Sequence, residues 1–80
     1  MLDELKTQRK VVGMKQLRKS LKEGQVVCVY LAENADPRLT DPVAEECSRL
    51  GVELKMVPTM AELGKACGIS VGAAAAGLLA

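Results

Sequence analysis

Seven basic residues and no acidic residue lie between positions 6 and 22 of this 80-residue chain. The other positions carry four basic and ten acidic residues, so the formal net charge of +1 conceals strongly segregated charge. Segregated positive charge creates a local field that attracts polyanions even when the whole chain is nearly neutral. The residues concerned are Lys6, Arg9, Lys10, Lys15, Arg18, Lys19 and Lys22. Their chemistry predicts contacts with phosphate groups, and the alternative is a solvated helix face.

Residues 13–19 (GMKQLRK) predict a turn that opens onto a helix. Helical spacing of i, i+4 and i+7 places three lysines on one stripe: Lys15, Lys19 and Lys22. This stripe is predicted to face away from the apolar positions of the helix, which are Met14, Leu17 and Leu21. The free N–H groups of a helix start bind anions, and the amide of Gln16 in the first turn offers a base edge both a donor and an acceptor. The segment therefore predicts RNA binding.

Catalytic chemistry is poorly supported by the sequence. The chain has no His, and no spacing pairs a Glu, Asp, Lys or Cys with an evident acid–base partner. Glu33 and Asp36 come nearest to a carboxylate pair, but a loop-structuring role is the better interpretation. The three cysteines, Cys28, Cys47 and Cys67, form no CxxC and are predicted to be buried, reduced thiols. We predict no enzymatic activity, no metal, no cofactor and no small-molecule substrate.

The composition predicts one small folded domain over residues 1–80, with 49% apolar and 26% charged residues. One Tyr and no Phe or Trp leave an aliphatic core, and they exclude modules that stack several aromatic rings on bases. The acidic start at Asp3 and Glu4 does not fit a signal peptide, and the apolar stretch over 69–80 is too short to span a bilayer. A cytoplasmic protein is predicted.

Strands and helices alternate along the sequence. The first predicted elements are a short amphipathic helix over 2–8, a strand over 10–12, a helix over 14–23 and a strand over 25–32. The next helix is predicted to have Asp41 as its N-cap, Pro42 at its first position and Gly51 at its end. A strand over 52–57 follows, and then a helix that starts with the Thr59–Glu62 capping box and ends at Gly68. Residues 34–37 are predicted as a loop. This alternation predicts an α/β three-layer sandwich with helices on both sheet faces.

The last segment, over 71–80, is open between helix and strand. Its alanines favour a helix by propensity, whereas Gly72 and Gly77 weaken one. Small residues also suit a strand that lies close beneath flanking helices.

Three segments together resemble the kink-turn-binding ribosomal protein superfamily of the seven-Ae and thirty-e type. They are residues 13–19 (GMKQLRK), 32–37 (AENADP) and 63–71 (LGKACGISV). The chain is most similar to the short bacterial homologues of the YbxF and YlxQ type. The resemblance implies an α-β-α sandwich around a mixed four-stranded sheet, with the 71–80 segment as a strand. It also implies a cytoplasmic, monomeric, ribosome-associated protein that grips kink-turn RNA.

The resemblance also implies roles for individual residues. Gly13 would allow close approach to the RNA, and Lys15 and Gln16 stand where archaeal relatives carry Asn and Glu that touch guanine edges. Lys19 stands where a Lys meets bases or backbone, and the loop over 69–71 corresponds to an apolar loop that packs on bases flipped out at the bend. The RNA-binding residues predicted in this way are Gly13, Met14, Lys15, Gln16, Lys19, Lys22, Ile69, Ser70 and Val71.

Some positions leave alternatives or depart from the family pattern. Val71 could instead enter the sheet core. Glu23 and Met60 stand where some relatives carry basic residues, which predicts an affinity lower by about 1–3 kcal/mol in sum. The alternative function is a protein-interaction adaptor in translation or ribosome assembly, whose basic helix meets an acidic partner.

Overall fold

A computed structural model of the protein describes residue 5 and residues 8–80. Within this part of the chain the elements are β1 (Lys10–Val12), α1 (Met14–Lys22), β2 (Val26–Ala32), α2 (Pro37–Leu50), β3 (Glu53–Val57), α3 (Met60–Ala66) and β4 (Ala75–Leu79). The helix predicted over 2–8 lies outside the described residues, apart from Leu5 and Gln8. The other predicted strands and helices are confirmed to within one or two residues, except for the start of α2.

The four described strands form one mixed sheet in the order β1-β4-β2-β3. β4 pairs antiparallel with both β1 and β2, and β3 pairs parallel with β2. β1, β2 and β3 therefore finish at the same end of the sheet, where β4 begins. We call this the carboxyl end of the sheet. All three described helices start there, because each follows one of these strands.

The 71–80 segment contributes a strand, and its position inside the sheet explains its small residues. A Cβ at Gly77 would lie 2.6 Å from Leu17 Cδ1 and 3.2 Å from Val26 Cγ1, so the packing of α1 on the sheet excludes a side chain here. Ala75 and Ala76 are fully buried. Tertiary packing thus overrides the helical propensity of the alanines.

Helices cover both faces of the sheet, as the alternation predicted. On one face α1 and α2 pack through Leu17, Leu21, Val43 and Cys47. On the other face lie α3 and the side chain of Leu5, with a core that includes Tyr30, Leu63, Ala66 and Cys67. Apart from Tyr30 this core is aliphatic. The three cysteines are buried, as predicted, and no disulfide joins them.

The predicted start of α2 at Asp41 and Pro42 is wrong. The helix begins one turn earlier, where Asp36 is the N-cap and its carboxylate accepts a hydrogen bond from the Arg38 N–H at 2.9 Å. Two Asp-Pro pairs, five residues apart, carry the same capping signal. The earlier pair prevails because the additional turn buries Thr40 in line with Val43 and Cys47 at helical spacing. Pro42 lies inside the helix on its exposed side.

Candidate functional site

Three segments that are distant in sequence meet at the carboxyl end of the sheet. The Gly13 N–H donates to the Ala75 carbonyl at 2.9 Å, and the Ala32 N–H donates to the Ala74 carbonyl at 2.9 Å. The Ala73 N–H donates to the Met60 carbonyl at 3.0 Å. The turn before α1, the loop after β2 and the loop that enters β4 are therefore held together by backbone hydrogen bonds. The motif over 13–19 begins at this end, the motif over 32–37 begins there after β2, and the motif over 63–71 leads into the loop that enters β4.

Gly13 forms the junction between β1 and α1 in a conformation that only glycine adopts readily. Its φ is 98° and its ψ is 151°, and a Cβ built there would meet no atom within 4 Å among the described residues. The side of Gly13 that lacks a side chain therefore faces open space. As the N-cap of α1 it supplies no side-chain acceptor, and the first turn contains no acidic residue. The positive end of α1 therefore has no side-chain cap and no acidic residue in its first turn, a feature shared with helix starts that bind anions.

The loop over 69–71 is fixed in position although its side chains are exposed. The Gly68 N–H donates to the Lys65 carbonyl at 3.1 Å and the Ile69 N–H to the Gly64 carbonyl at 3.0 Å, which is a Schellman motif that ends α3. A Cβ at Gly64 would collide with the carbonyl oxygen of Val71, so this glycine seats the loop against α3.

The side chains of this loop point away from the core. Val71 is 68% exposed and Ile69 is 37% exposed, and Ser70 is also exposed. Exposed β-branched side chains on an anchored loop form an apolar contact surface. The alternative in which Val71 enters the sheet core is therefore wrong.

The basic side of α1 forms a shallow depression next to the Gly13 junction. Its lining residues are Met14, Lys15, Arg18, Lys19 and Lys22. Met14 is half-buried and packs against the core that contains Leu17 and Leu21, as its apolar position predicts, and it also borders this depression. A helix rises about 1.5 Å per residue, so Lys22 lies roughly 12 Å along the axis from Met14. The lysines thus extend the surface away from the carboxyl end.

The structure brings the predicted residues together in two connected groups. Gly13, Lys15 and Gln16 lie at the carboxyl end, where Gly13 is hydrogen-bonded to the start of the strand that follows the loop over 69–71, and the side chains of Lys15 and Gln16 are exposed. Lys19 and Lys22 are exposed further along α1. Together the two groups offer cations, helix N–H groups, an amide and an apolar loop.

Two residues that support this end were missed by the sequence reasoning. The Asn34 side chain accepts a hydrogen bond from the Met60 N–H at 2.8 Å and so ties the loop after β2 to the start of α3. Gly64 seats Val71, as described above. Asn34 carries a local signal, because Asn in a loop caps helices, but its partner is 26 residues away.

Local electrostatics distinguish the start of α2 from that of α1. Arg38 donates from Nη2 to Asp36 Oδ2 at 2.8 Å, and this hydrogen bond lowers the pKa of the Asp36 carboxyl below its ordinary value. The Arg38 backbone N–H also lowers the pKa of Asp36.

Burial raises the pKa of the Cys47 and Cys67 thiols, which keeps both protonated at neutral pH. These thiols are therefore not poised as nucleophiles.

Within the described residues, no group of three or more His, Cys, Asp or Glu side chains is arranged to hold a metal ion. None of the helices there is long and apolar enough to cross a membrane.

Comparison with known proteins agrees with this architecture. A profile of the Ribosomal protein L7Ae/L30e/S12e/Gadd45 family matches residues 2–79. An RNA-binding protein of Geobacillus sp. (strain WCH70) is 44% identical over 75 residues, which cover 94% of this chain and 92% of that protein. The RNA-binding protein YbxF of Geobacillus stearothermophilus is 42% identical over 69 residues, covering 86% and 84% of the two chains.

Among solved structures, the Giardia lamblia 15.5kD RNA binding protein superposes with a TM-score of 0.90 at 25% identity. The match covers 99% of this chain and 70% of that one. The resemblance drawn from the three motifs is confirmed, including its YbxF-type relatives, and so is the fold class.

Proposed function

Because this chain belongs to the Ribosomal protein L7Ae/L30e/S12e/Gadd45 family, we propose that it is an RNA-binding protein that recognises kink-turn RNA. The relatives described above are named RNA-binding proteins, and the family is one of ribosomal proteins, so the prediction that the chain is not an enzyme is confirmed. As part of the proposal, residues 1–80 act as one domain that works as a cytoplasmic, ribosome-associated monomer.

One observation carries this proposal: the uncovered Gly13 junction and the exposed loop over 69–71 stand at the same end of the sheet. The hydrogen bond from Gly13 to Ala75 fixes their relative position, because Ala75 begins the strand that follows the loop. A straight duplex presents no unstacked base to an apolar loop, whereas a sharply bent internal loop does. The arrangement therefore suits an RNA that exposes a base next to a groove.

Each part of the surface has a separate task in this proposal. The RNA approaches Gly13 closely, since among the described residues no atom lies within 4 Å of the position that a Cβ would take there, and Gln16 contacts a base edge. Lys19 and Lys22 contact phosphates along one side of the bend, and these contacts supply affinity that is independent of sequence. Ile69 and Val71 cover an extruded base, and Ser70 between them offers a hydroxyl.

The residues at the start of α1 determine which base atoms can be contacted. The ammonium of Lys15 only donates hydrogen bonds, which matches the O6 and N7 acceptors of guanine, whereas a carboxylate at a neighbouring position would match donors. The amide of Gln16 does both. The pair Lys15-Gln16 therefore makes a different set of contacts from the Asn-Glu pair expected of archaeal relatives.

Binding measured against two RNAs of equal length tests the proposal. One RNA contains a kink-turn internal loop and the other is an unbroken duplex with the same number of phosphates. We expect tighter binding to the kink-turn RNA at every salt concentration, by about 100-fold or more near 0.15 M salt, since specific binding commonly exceeds non-specific binding by about 10³-fold or more in protein–nucleic acid complexes. Equal affinity for the two RNAs would overturn kink-turn recognition. Binding of a polyglutamate peptide in preference to both RNAs would favour the adaptor function.

A further inference from the structure

One residue of the basic depression on α1, Arg18, also lies next to residues of α2. Arg18 lines the basic depression and also lines a second one, formed with Pro42, Glu45, Glu46 and Arg49 of α2. The α2 residues follow the spacing i, i+3, i+4 and i+7, so they form one stripe that faces α1. Two carboxylates thus stand beside a surface whose charged residues are all basic.

The negative charge of this stripe is only partly compensated within α2. Arg49 Nη2 lies 3.3 Å from Glu46 Oε2. Glu46 Oε1 is buried without a hydrogen-bond partner among the described residues. Glu45 is exposed and is not part of the Glu46–Arg49 pair. The stripe therefore carries a net negative charge that acts on Arg18 and on any anion placed over it.

We propose that Glu45 and Glu46 are specificity-determining residues that repel RNA from the α2 side of the basic depression and so weaken the binding of RNA that lacks the specific shape. This inference rests on the proposed function. We refer to these two residues together as the acidic stripe of α2. The proposal also gives Arg18 a role apart from the lysines, because Arg18 lines the depression that contains both carboxylates.

The effect of the stripe differs between the two kinds of RNA. A duplex without a bend is held by charge alone and can lie across α1 in many orientations, of which those that pass over α2 bring phosphates against the stripe. An RNA anchored at Gly13 and at the loop over 69–71 has one orientation, along the lysines. The stripe therefore penalises unanchored binding more than anchored binding, and specificity depends on that difference.

The screening of charges by salt determines how much each substitution should change the affinity for RNA. Salt reduces interactions between exposed charges beyond about 8 Å at physiological ionic strength, so one carboxylate influences only the nearest few phosphates. We expect Glu45→Gln to raise affinity for the plain duplex by about threefold and Glu45→Lys by about tenfold at low salt. Affinity for kink-turn RNA should rise by less than about twofold with Glu45→Gln.

Substitution of Glu53 is the matched control, because it changes the net charge by the same amount as substitution of Glu45 but at a distant place. It is exposed at the start of β3, at the far end of the sheet from Gly13, and two strands separate β3 from β1. Glu53→Gln and Glu53→Lys should change duplex affinity by less than about 1.5-fold, since distant charges are screened.

A second measurement concerns Arg18→Gln, which should leave the slope of log K against log salt nearly unchanged. The loss of a phosphate contact would instead flatten this slope by about one unit.

The outcomes separate this inference from the proposed function. The experiment uses the full chain with the kink-turn RNA and the duplex of equal length. Circular dichroism confirms that each variant folds. If a Lys variant fails to fold, the Gln variants are sufficient for the comparison. If Glu45 variants bind duplex no better than Glu53 variants, or if Arg18→Gln flattens the slope by a full unit, the acidic stripe has no such role. If the unmodified protein fails to prefer kink-turn RNA, the proposed function fails, while a rise in duplex affinity specific to Glu45 still supports the repulsion.

Discussion

The two helices on one face of the sheet, α1 and α2, pack against the same core but differ in the charge of their exposed residues. Both bury aliphatic or small side chains in one core, through Leu17 and Leu21 of α1 and Val43 and Cys47 of α2. Within Met14–Lys22 the charged residues are all basic, whereas α2 mixes three acidic residues with two basic ones. Because the core constrains the buried positions and not the charge, the difference reflects what each helix meets in solution.

The two helix starts differ in the same way. Asp36 caps α2 with its own carboxylate, which is held in turn by Arg38. α1 starts at Gly13, which has no side chain to cap the helix. The start of α2 is thus capped by a side chain of the chain itself, whereas the start of α1 has no side-chain cap. A stability requirement alone would favour a capping residue at both starts, since a cap contributes about 1 kcal/mol.

The largest expected effect follows from placing a side chain at Gly13, the start of α1. We expect Gly13→Val to reduce affinity for kink-turn RNA to that for plain duplex, because a side chain would occupy the approach to the backbone and a φ of 98° is strained for valine. Gly24→Val at the other end of α1 introduces comparable strain, at a φ of 71°, away from the predicted contacts. Affinity is measured alongside circular dichroism. Equal losses in the two folded variants would show that strain, and not access, causes the effect.

The second prediction concerns the apolar loop. Ile69→Ala should cost about 1–2 kcal/mol of binding, mostly in the off-rate, and less stability than the 2–5 kcal/mol of a core truncation. Val71→Ala should weaken binding without a measurable change in the melting temperature, since Val71 is 68% exposed.

Leu50→Ala is the control for this loop, because Leu50 is 47% exposed at the far end of α2. It should leave affinity unchanged. A large drop in stability with unchanged affinity in Ile69→Ala would assign that residue to the core.

These elements also show which parts of the fold the sequence could predict. The β2 strand was predictable because a continuous β-branched run has few alternatives, and α3 was predictable because Thr59 and Glu62 form a local capping signal, in which the Glu62 N–H donates to Thr59 Oγ1 at 3.1 Å. The start of α2 was not, since two Asp-Pro pairs compete and the burial of Thr40 decides between them. The identity of β4 depended on Gly77 beneath Leu17, a contact 60 residues apart in sequence.

The candidate site divides along the same line. The basic residues and Gly13 could be found from the sequence because charge and glycine placement are local signals. The seating of Val71 by Gly64 and the link from Asn34 to Met60 could not, because each depends on contacts between separate elements.

The third prediction separates base contacts from backbone contacts at the first turn of α1. Gln16→Ala should lower the preference for kink-turn RNA over duplex by about 1 kcal/mol, the usual net value of one hydrogen bond. Gln25→Ala is a matched control, since it removes the same exposed side chain just beyond the other end of α1. The ratio of the two affinities is measured for each variant. Full selectivity in Gln16→Ala would show that this amide contacts no base.

The last prediction has the smallest effect and concerns the basic side of α1. Lys19→Ala and Lys22→Ala should each weaken binding to every RNA by about threefold to fivefold near 0.15 M salt and flatten the slope of log K against log salt by about one unit. Both changes follow because each phosphate contact releases a counterion. Lys65→Ala removes an equally exposed cation from α3, on the opposite face of the sheet, and should leave the slope unchanged. Slopes measured over a salt series decide the matter: if Lys65→Ala flattens the slope as much as Lys19→Ala, the contrast between the helices reflects net charge rather than a defined RNA surface.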